Sequence, residues 1–153
     1  MTFVKVQKKR CKDAGLLFMQ MSNFDECGDL KISIDKSRLI QVLTLLLDNA
    51  SKFSKEGKVI VRSIAEVDLE NNYVSIKLGL TDQGCGVEAF DRESIYLPMS
   101  QGSNNFSRSS EGSGMGLAIA KKIILSFPEG KIGHHSSSKK GTCFWISFRA
   151  SII

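Results

Sequence analysis

Apolar and polar positions alternate in two registers along this chain, and the register separates strands from helices. From Tyr73 to Thr81, Val74, Ile76, Leu78 and Leu80 fall on one face and Tyr73, Ser75 and Lys77 on the other, the mark of a strand with one buried face. Lys58 to Ala65 (KVIVRSIA) is apolar and β-branched. Leu69 to Asn72 supplies a turn, which makes the two an antiparallel hairpin. A second hairpin is predicted from Lys131–His135 and Thr142–Arg149. In it Thr142, Phe144, Ile146 and Phe148 share a face. Between Asp35 or Ser37, either of which can cap a helix, and Ser54, the residues Leu39, Leu43, Leu46, Ala50 and Phe53 recur every three or four positions. That spacing predicts an amphipathic helix ended by Gly57. Another helix is expected from about Met115 to Ser126, stopped by Pro128 and Gly130. Residues 1–14 read as a helix closed by Gly15, Leu16 to Met21 as a strand, and Leu30 to Ser33 as a short strand. A brief helical stretch ends before Pro98, and the Ser-, Gly- and Asn-rich run from Ser100 to Ser113 reads as a mobile loop. These elements predict an α/β two-layer sandwich, a mixed and mostly antiparallel sheet packed on about three helices.

Composition narrows the classes. With 153 residues, 42% of them apolar, the chain makes one domain with a proper core. No apolar run reaches the ~18 residues of a membrane span. Cys11, Cys27, Cys85 and Cys143 form no C-x-x-C pair, which speaks against a zinc site or a disulfide framework and suits a reducing compartment. The net charge of +5 is mostly local, since residues 1–13 carry +4 of it. Nucleic-acid binding is not expected from so confined a basic segment. Lys5, Lys8, Lys9 and Lys12 at helical spacing form either a solvated face or a patch for phosphate or a membrane surface.

Three segments carry chemistry. In Asp48-Asn49-Ala50-Ser51-Lys52-Phe53, the residues Asn49, Lys52 and Phe53 share a helix face. An amide oxygen there can ligate Mg²⁺ and an ammonium can meet phosphate. Lys52 can equally pair with Asp48 one turn back. In Thr81-Asp82-Gln83-Gly84-Cys85-Gly86, a carboxylate at a strand end precedes two glycines that let a ligand approach the backbone. A buried carboxylate accepts from the exocyclic amine of adenine, although the segment also reads as an Asp-Gly turn. GCGVEA matches G-x-G-x-x-A, but the strand before it is half polar and no βαβ unit follows, so a dinucleotide fold is not expected. In Gly112-Ser113-Gly114-Met115-Gly116-Leu117, glycines open a helix whose free N–H groups suit an anion, with Arg108 in the preceding loop as added charge. No P-loop pattern occurs.

Taken in order, DNASKF, DQGCG and GSGMGL resemble the GHKL ATPase superfamily, and within it the catalytic ATP-binding domain of sensor histidine kinases. RLIQVLTLLLDNASKFSKEG resembles that family's N box, TDQGCGVE its first glycine box, IYLPMSQ its F box, EGSGMGLAIAKKII its second glycine box and GTCFWISF its closing strand. The resemblance covers about Leu16 to Phe148. It implies a Bergerat-type sandwich with a mobile ATP lid and a site for ATP and Mg²⁺. Asn49 matches the metal ligand, Lys52 a phosphate contact, and Phe53 a neighbour of the nucleotide. Asp82 matches the adenine-reading carboxylate, with Thr142 assisting through water. Gly84 and Gly86 admit the base. Gly112, Gly114, Gly116 and Leu117 match the lid hinge and phosphate cradle.

The chain departs from the family at Leu45, where these kinases usually carry Asn, and at Tyr96 and Met99, where Phe is usual. Leu45 also stands where hydrolytic relatives hold the Glu that activates water, so unaided hydrolysis is not expected. The two histidines, His134 and His135, lie in the last hairpin and are expected to be surface strand residues, not phosphoacceptors. The resemblance therefore implies a catalytic domain, residues 15–153, preceded by a linker helix, residues 1–14, from a dimerisation domain that bears the acceptor histidine. It further implies a response-regulator receiver as partner, and a cytoplasmic location, free or as the inner part of a membrane-bound receptor. A degenerate nucleotide-binding or docking module of a pseudokinase-like protein is the alternative. A serine-directed kinase of the same superfamily is a third reading.

Overall fold

The computed structural model describes residues 9, 11–13, 15–23, 27–54, 57–100, 113–137 and 141–153. Among the described residues, six strands and two α-helices carry the architecture, in the order β1 (Leu17–Ser22), β2 (Ile32–Ser33), α1 (Lys36–Phe53), β3 (Lys58–Asp68), β4 (Tyr73–Thr81), α2 (Gly116–Ile124), β5 (Lys131–Ser137) and β6 (Gly141–Ile152). The helical stretch expected before Pro98 is two short 3-10 turns, Ala89–Asp91 and Ser94–Tyr96. Residues 9 and 11–13 are helical, and Gly15 N–H bonds back to the Lys12 carbonyl.

The sheet runs β1-β3-β4-β6, with β2 and β5 both pairing the far edge of β6. Only β1–β3 is parallel, with Leu17 opposite Lys58; β3–β4, β4–β6, β2–β6 and β5–β6 are antiparallel. This is the expected mixed sheet, covered on one face by helices.

Both hairpins extend beyond their sequence bounds, β3 to Asp68 and β6 to Ile152, because cross-strand partners continue there. Val74, Ile76, Leu78 and Leu80 of β4 and Phe144, Ile146, Phe148 and Ala150 of β6 are buried, as the alternation required. They meet Val42, Leu46, Leu47 and Ala50 of α1 and Ala120, Ile123 and Ile124 of α2. Burying a side chain of that size stabilises by about 1.5–3 kcal/mol. The α1 stripe is therefore rotated from the one expected. Leu39 and Leu43 are half-buried, because α1 packs against α2 as well as the sheet and so buries a wider arc. Asp35 is the α1 cap, its Oδ1 accepting from Arg38 N–H at 3.0 Å. Cys11 is buried with this core. Among the described residues, no helix is long and apolar enough to cross a membrane.

Candidate nucleotide site

Strand β4 ends at Thr81 and delivers Asp82 into the interior, where the residue is 3% exposed. Its Oδ1 accepts from Gly84 N–H at 2.8 Å and from Thr142 N–H at 3.2 Å. Asp82 N–H in turn donates to the Thr142 carbonyl at 2.9 Å. Burial pushes the Asp82 carboxyl above the usual carboxylate range, and the two N–H bonds pull it part of the way back. Such an acid keeps its proton longer than a surface Asp and gains from any ligand donor that reaches it.

Two glycines make room around this carboxylate. A Cβ on Gly84 would stand 2.6 Å from the Phe53 carbonyl oxygen and 3.0 Å from Asp82 Oδ1, so a side chain there would push α1 away from the turn. Gly141 has φ of +89° and sits against the Asp82 carbonyl, where a Cβ has neither conformation nor space. The turn is anchored from below by Gln83, whose Oε1 accepts from Lys58 N–H at 2.9 Å. From β5, Ser136 Oγ accepts from Val87 N–H at 2.7 Å and lies 3.0 Å from Thr142 Oγ1.

The C-terminal turn of α1 borders the same space. Asn49 and Phe53 are half-buried and Lys52 is exposed. The Phe53 carbonyl at Gly84 joins this turn directly to the turn after β4. The start of α2 closes another side. Gly114 lies against the Met99–Ser100 backbone, and Leu45 is the nearest side chain to Gly116. Leu117 is half-buried against the core. Among the described residues no side chain caps α2, and the N–H groups of a helix's first turn suit an anion. Gly86 follows Asp82 in the same turn, with φ of +78°. The structure thus brings Phe53, Asp82, Gly84 and Thr142 together and sets Gly116 against Leu45 of α1, with Gly86 in the Asp82 turn, Asn49 and Lys52 in the last turns of α1, and Gly114 and Leu117 at the start of α2, whereas Arg108 and Gly112 lie outside the described residues.

His134 is not the surface residue expected. It points inward from β5 and is half-buried, with Nδ1 3.0 Å from the Tyr96 hydroxyl and Nε2 buried without a partner among the described residues. The sheet register explains this, since His134 pairs opposite the buried Phe144. Burial, then Arg92 and His135, hold its pKa below the usual histidine value, and burial pushes the Tyr96 phenol up to about 12. His135 is exposed and stacks on Trp145. Ser136 and Gln83 are site residues that sequence reasoning missed. The alternation Ile132, His134, Ser136 carried the signal for Ser136, but only the register with β6 shows which of its faces is inward.

Residues 34–152 match the family of histidine kinase-, DNA gyrase B- and HSP90-like ATPases. The chain belongs to this ATPase family. Its relatives are sensor histidine kinases. The sensor protein GacS of Pseudomonas syringae pv. syringae is 36% identical over 120 residues, which is 78% of this chain and 13% of that protein. The signal transduction histidine-protein kinase BarA of Escherichia coli K12 is 32% identical over 112 residues, 73% of this chain and 12% of that protein. Among solved structures, the mycobacterial sensor histidine kinase MprB superposes with a TM-score of 0.76 at 25% identity, over 99% of this chain and 93% of that one. The catalytic domain of the histidine kinase ThkA shares the fold, with a TM-score of 0.72 at 22% identity, over 96% of this chain and 88% of that one.

The protein is an ATP-binding catalytic domain of the sensor histidine kinase type. It spans about an eighth of the length of GacS and BarA.

Proposed function

We propose that the chain binds Mg²⁺-ATP between the α1 C-terminus, the Asp82 turn and the α2 N-terminus, and transfers the γ-phosphoryl group to a histidine on a separate helical domain. The observation that carries this reading is Asp82, a nearly fully buried carboxylate whose Oδ1 is occupied by two backbone N–H groups. In the proposed complex, Oδ2 accepts from the exocyclic amine of adenine, and Thr142 supports the base through water. Guanine presents a carbonyl at that position and is rejected. The open N–H groups of α2 and the Lys52 ammonium receive the phosphates.

The donor set fits a hard divalent ion held mainly by phosphate and water. Asn49 offers one amide oxygen, and among the described residues no three His, Cys, Asp or Glu side chains stand together. Bound at Asn49, Mg²⁺ would offset phosphate charge. Leu45 places an alkyl group one turn before Asn49, so nothing there orients water against the γ-phosphate. A neutral imidazole needs no such base, which suits transfer over hydrolysis.

By the same reading, residues 1–14 are the linker from the acceptor-bearing domain, the partner downstream is a receiver domain, and the protein works on the cytoplasmic side of the membrane. The second reading, a nucleotide-binding module without transfer, is favoured by Leu45 and by Tyr96 and Met99, which stand where Phe is usual. Calorimetry with ATP, ADP and GTP, with and without Mg²⁺, tests the site. Phosphate transfer to an added histidine domain tests the activity. Equal ATP and GTP affinities sink the base assignment, and ATP binding without transfer selects the second reading.

A further inference from the structure

One hydroxyl outside the quoted motifs bridges the turn after Asp82 to the start of β6. Ser136 points inward from β5 and touches three partners among the described residues. Val87 N–H donates to its Oγ at 2.7 Å, the Gly141 carbonyl lies at 3.2 Å, and Thr142 Oγ1 lies at 3.0 Å. It therefore bridges the turn after Asp82 to the first residues of β6, which hold Asp82 through the Thr142 N–H.

Proton accounting gives this bridge a consequence. A serine hydroxyl has one proton to donate. If it goes to the Gly141 carbonyl, the Thr142 hydroxyl spends its own proton on Ser136 Oγ and presents only lone pairs to the pocket. If it goes to Thr142 Oγ1, the shorter of the two contacts, the Thr142 hydroxyl keeps its proton for a ligand or a water. The Watson–Crick edge of adenine has an amine donor beside a ring-nitrogen acceptor, so it needs an acceptor and a donor side by side. Guanine needs the reverse.

Resting on the proposed adenine site, we propose that Ser136 is a positioning residue for nucleotide selectivity. It orients the Thr142 hydroxyl as a donor beside the Asp82 acceptor and tethers the Val87 amide that closes the turn. Ser136 does not itself touch the base.

The test is a double-mutant cycle on the chain, with ADP and GDP binding read by calorimetry and folding checked by urea denaturation. Ser136→Ala lowers ADP affinity about fivefold to tenfold, narrows the preference over GDP, and leaves inorganic tripolyphosphate binding unchanged. In a Thr142→Val background the same change costs less than in the wild type, because its route through the Thr142 hydroxyl is gone and only the Val87 tether remains. Ser136→Cys, which keeps the volume with a weaker donor, falls between wild type and alanine and covers the case in which alanine unfolds the turn. Additive losses in the cycle overturn the proposal, as does an equal loss of tripolyphosphate binding. A wild-type chain without ADP preference overturns the adenine reading itself. A wild type that prefers ADP, beside a Ser136→Ala variant that keeps the full preference, overturns the Ser136 role alone.

Discussion

Asp82 and Thr142 hold each other through two backbone-directed hydrogen bonds across a separation of 60 residues. Thr142 N–H donates to Asp82 Oδ1 at 3.2 Å and Asp82 N–H donates to the Thr142 carbonyl at 2.9 Å. The pair joins the end of β4 to the start of β6, just past the last strand pair, Thr81 opposite Cys143. Its position is set before any ligand arrives, which reduces the ordering cost of binding.

Asp82→Asn is expected to cost roughly 1.5–3 kcal/mol of ADP binding, the loss of a charge-assisted hydrogen bond. Its effect on the free chain has the opposite sign. Burial raises the folded carboxyl pKa above its unfolded value near 3.8, so the stability tied to the protonated acid is complete below that value. It is lost as pH rises through the raised folded value. Urea midpoints of wild type and Asp82→Asn should therefore diverge as pH rises above about 4, with the variant gaining relative to wild type. Parallel midpoints across that range would show that the carboxylate is not strained by burial.

His134 titrates in the other direction. Its folded pKa lies below the unfolded value of 6.5, so the stability of its neutral, Tyr96-bonded form is complete above 6.5 and lost as pH falls through the folded value. His134→Gln should flatten the loss of stability on acidification from pH 6.5. Identical acid profiles for the two chains would remove His134 from the balance.

Asn49→Ala is expected to weaken ATP binding in Mg²⁺ more than ADP binding without metal, because only the former uses the amide oxygen. Calorimetry under the two conditions measures this. Equal losses would make Asn49 a structural residue of α1.

Leu45 gives a stability and an activity expectation at once. It packs with the core and faces Gly116 across the helix pair. Leu45→Asn should cost about 1–3 kcal/mol of folding stability through lost apolar burial. It should raise phosphate transfer to an added histidine domain if a polar group at this position aligns the phosphates. Wild-type chain alone should bind ATP with turnover close to background. Robust hydrolysis by the chain by itself would overturn the role given to Leu45, and unchanged transfer in Leu45→Asn would make it a packing choice.

Much of this was legible locally. The alternation of Val74, Ile76, Leu78 and Leu80 specified the buried face of β4, because side chains of a strand alternate with a period of two whatever packs on them. Asp35 was one of two caps open for α1, legible because a cap is a contact between residues three apart, and the structure chose it over Ser37. Asp82 was legible as a carboxylate at a strand end, because the glycines after it mark the turn. The order of glycine segments and the Asn49 helix pointed to the family because those turns and helix ends need particular residue types.

What remained hidden depends on partners distant in the chain. The parallel pairing of Leu17 with Lys58, and the closure of β6 by Ile32 opposite Ile152, arise from strand order, which periodicity does not encode. The arc of α1 that is buried, Val42, Leu46, Leu47 and Ala50, was decided by the simultaneous presence of α2 and the sheet. His134 and Ser136 looked like residues of a polar hairpin. Register against Phe144 and Thr142 turned both inward, giving one a tyrosine and the other the Thr142 hydroxyl, because a strand's pattern specifies alternation while only its neighbour specifies which side is the interior.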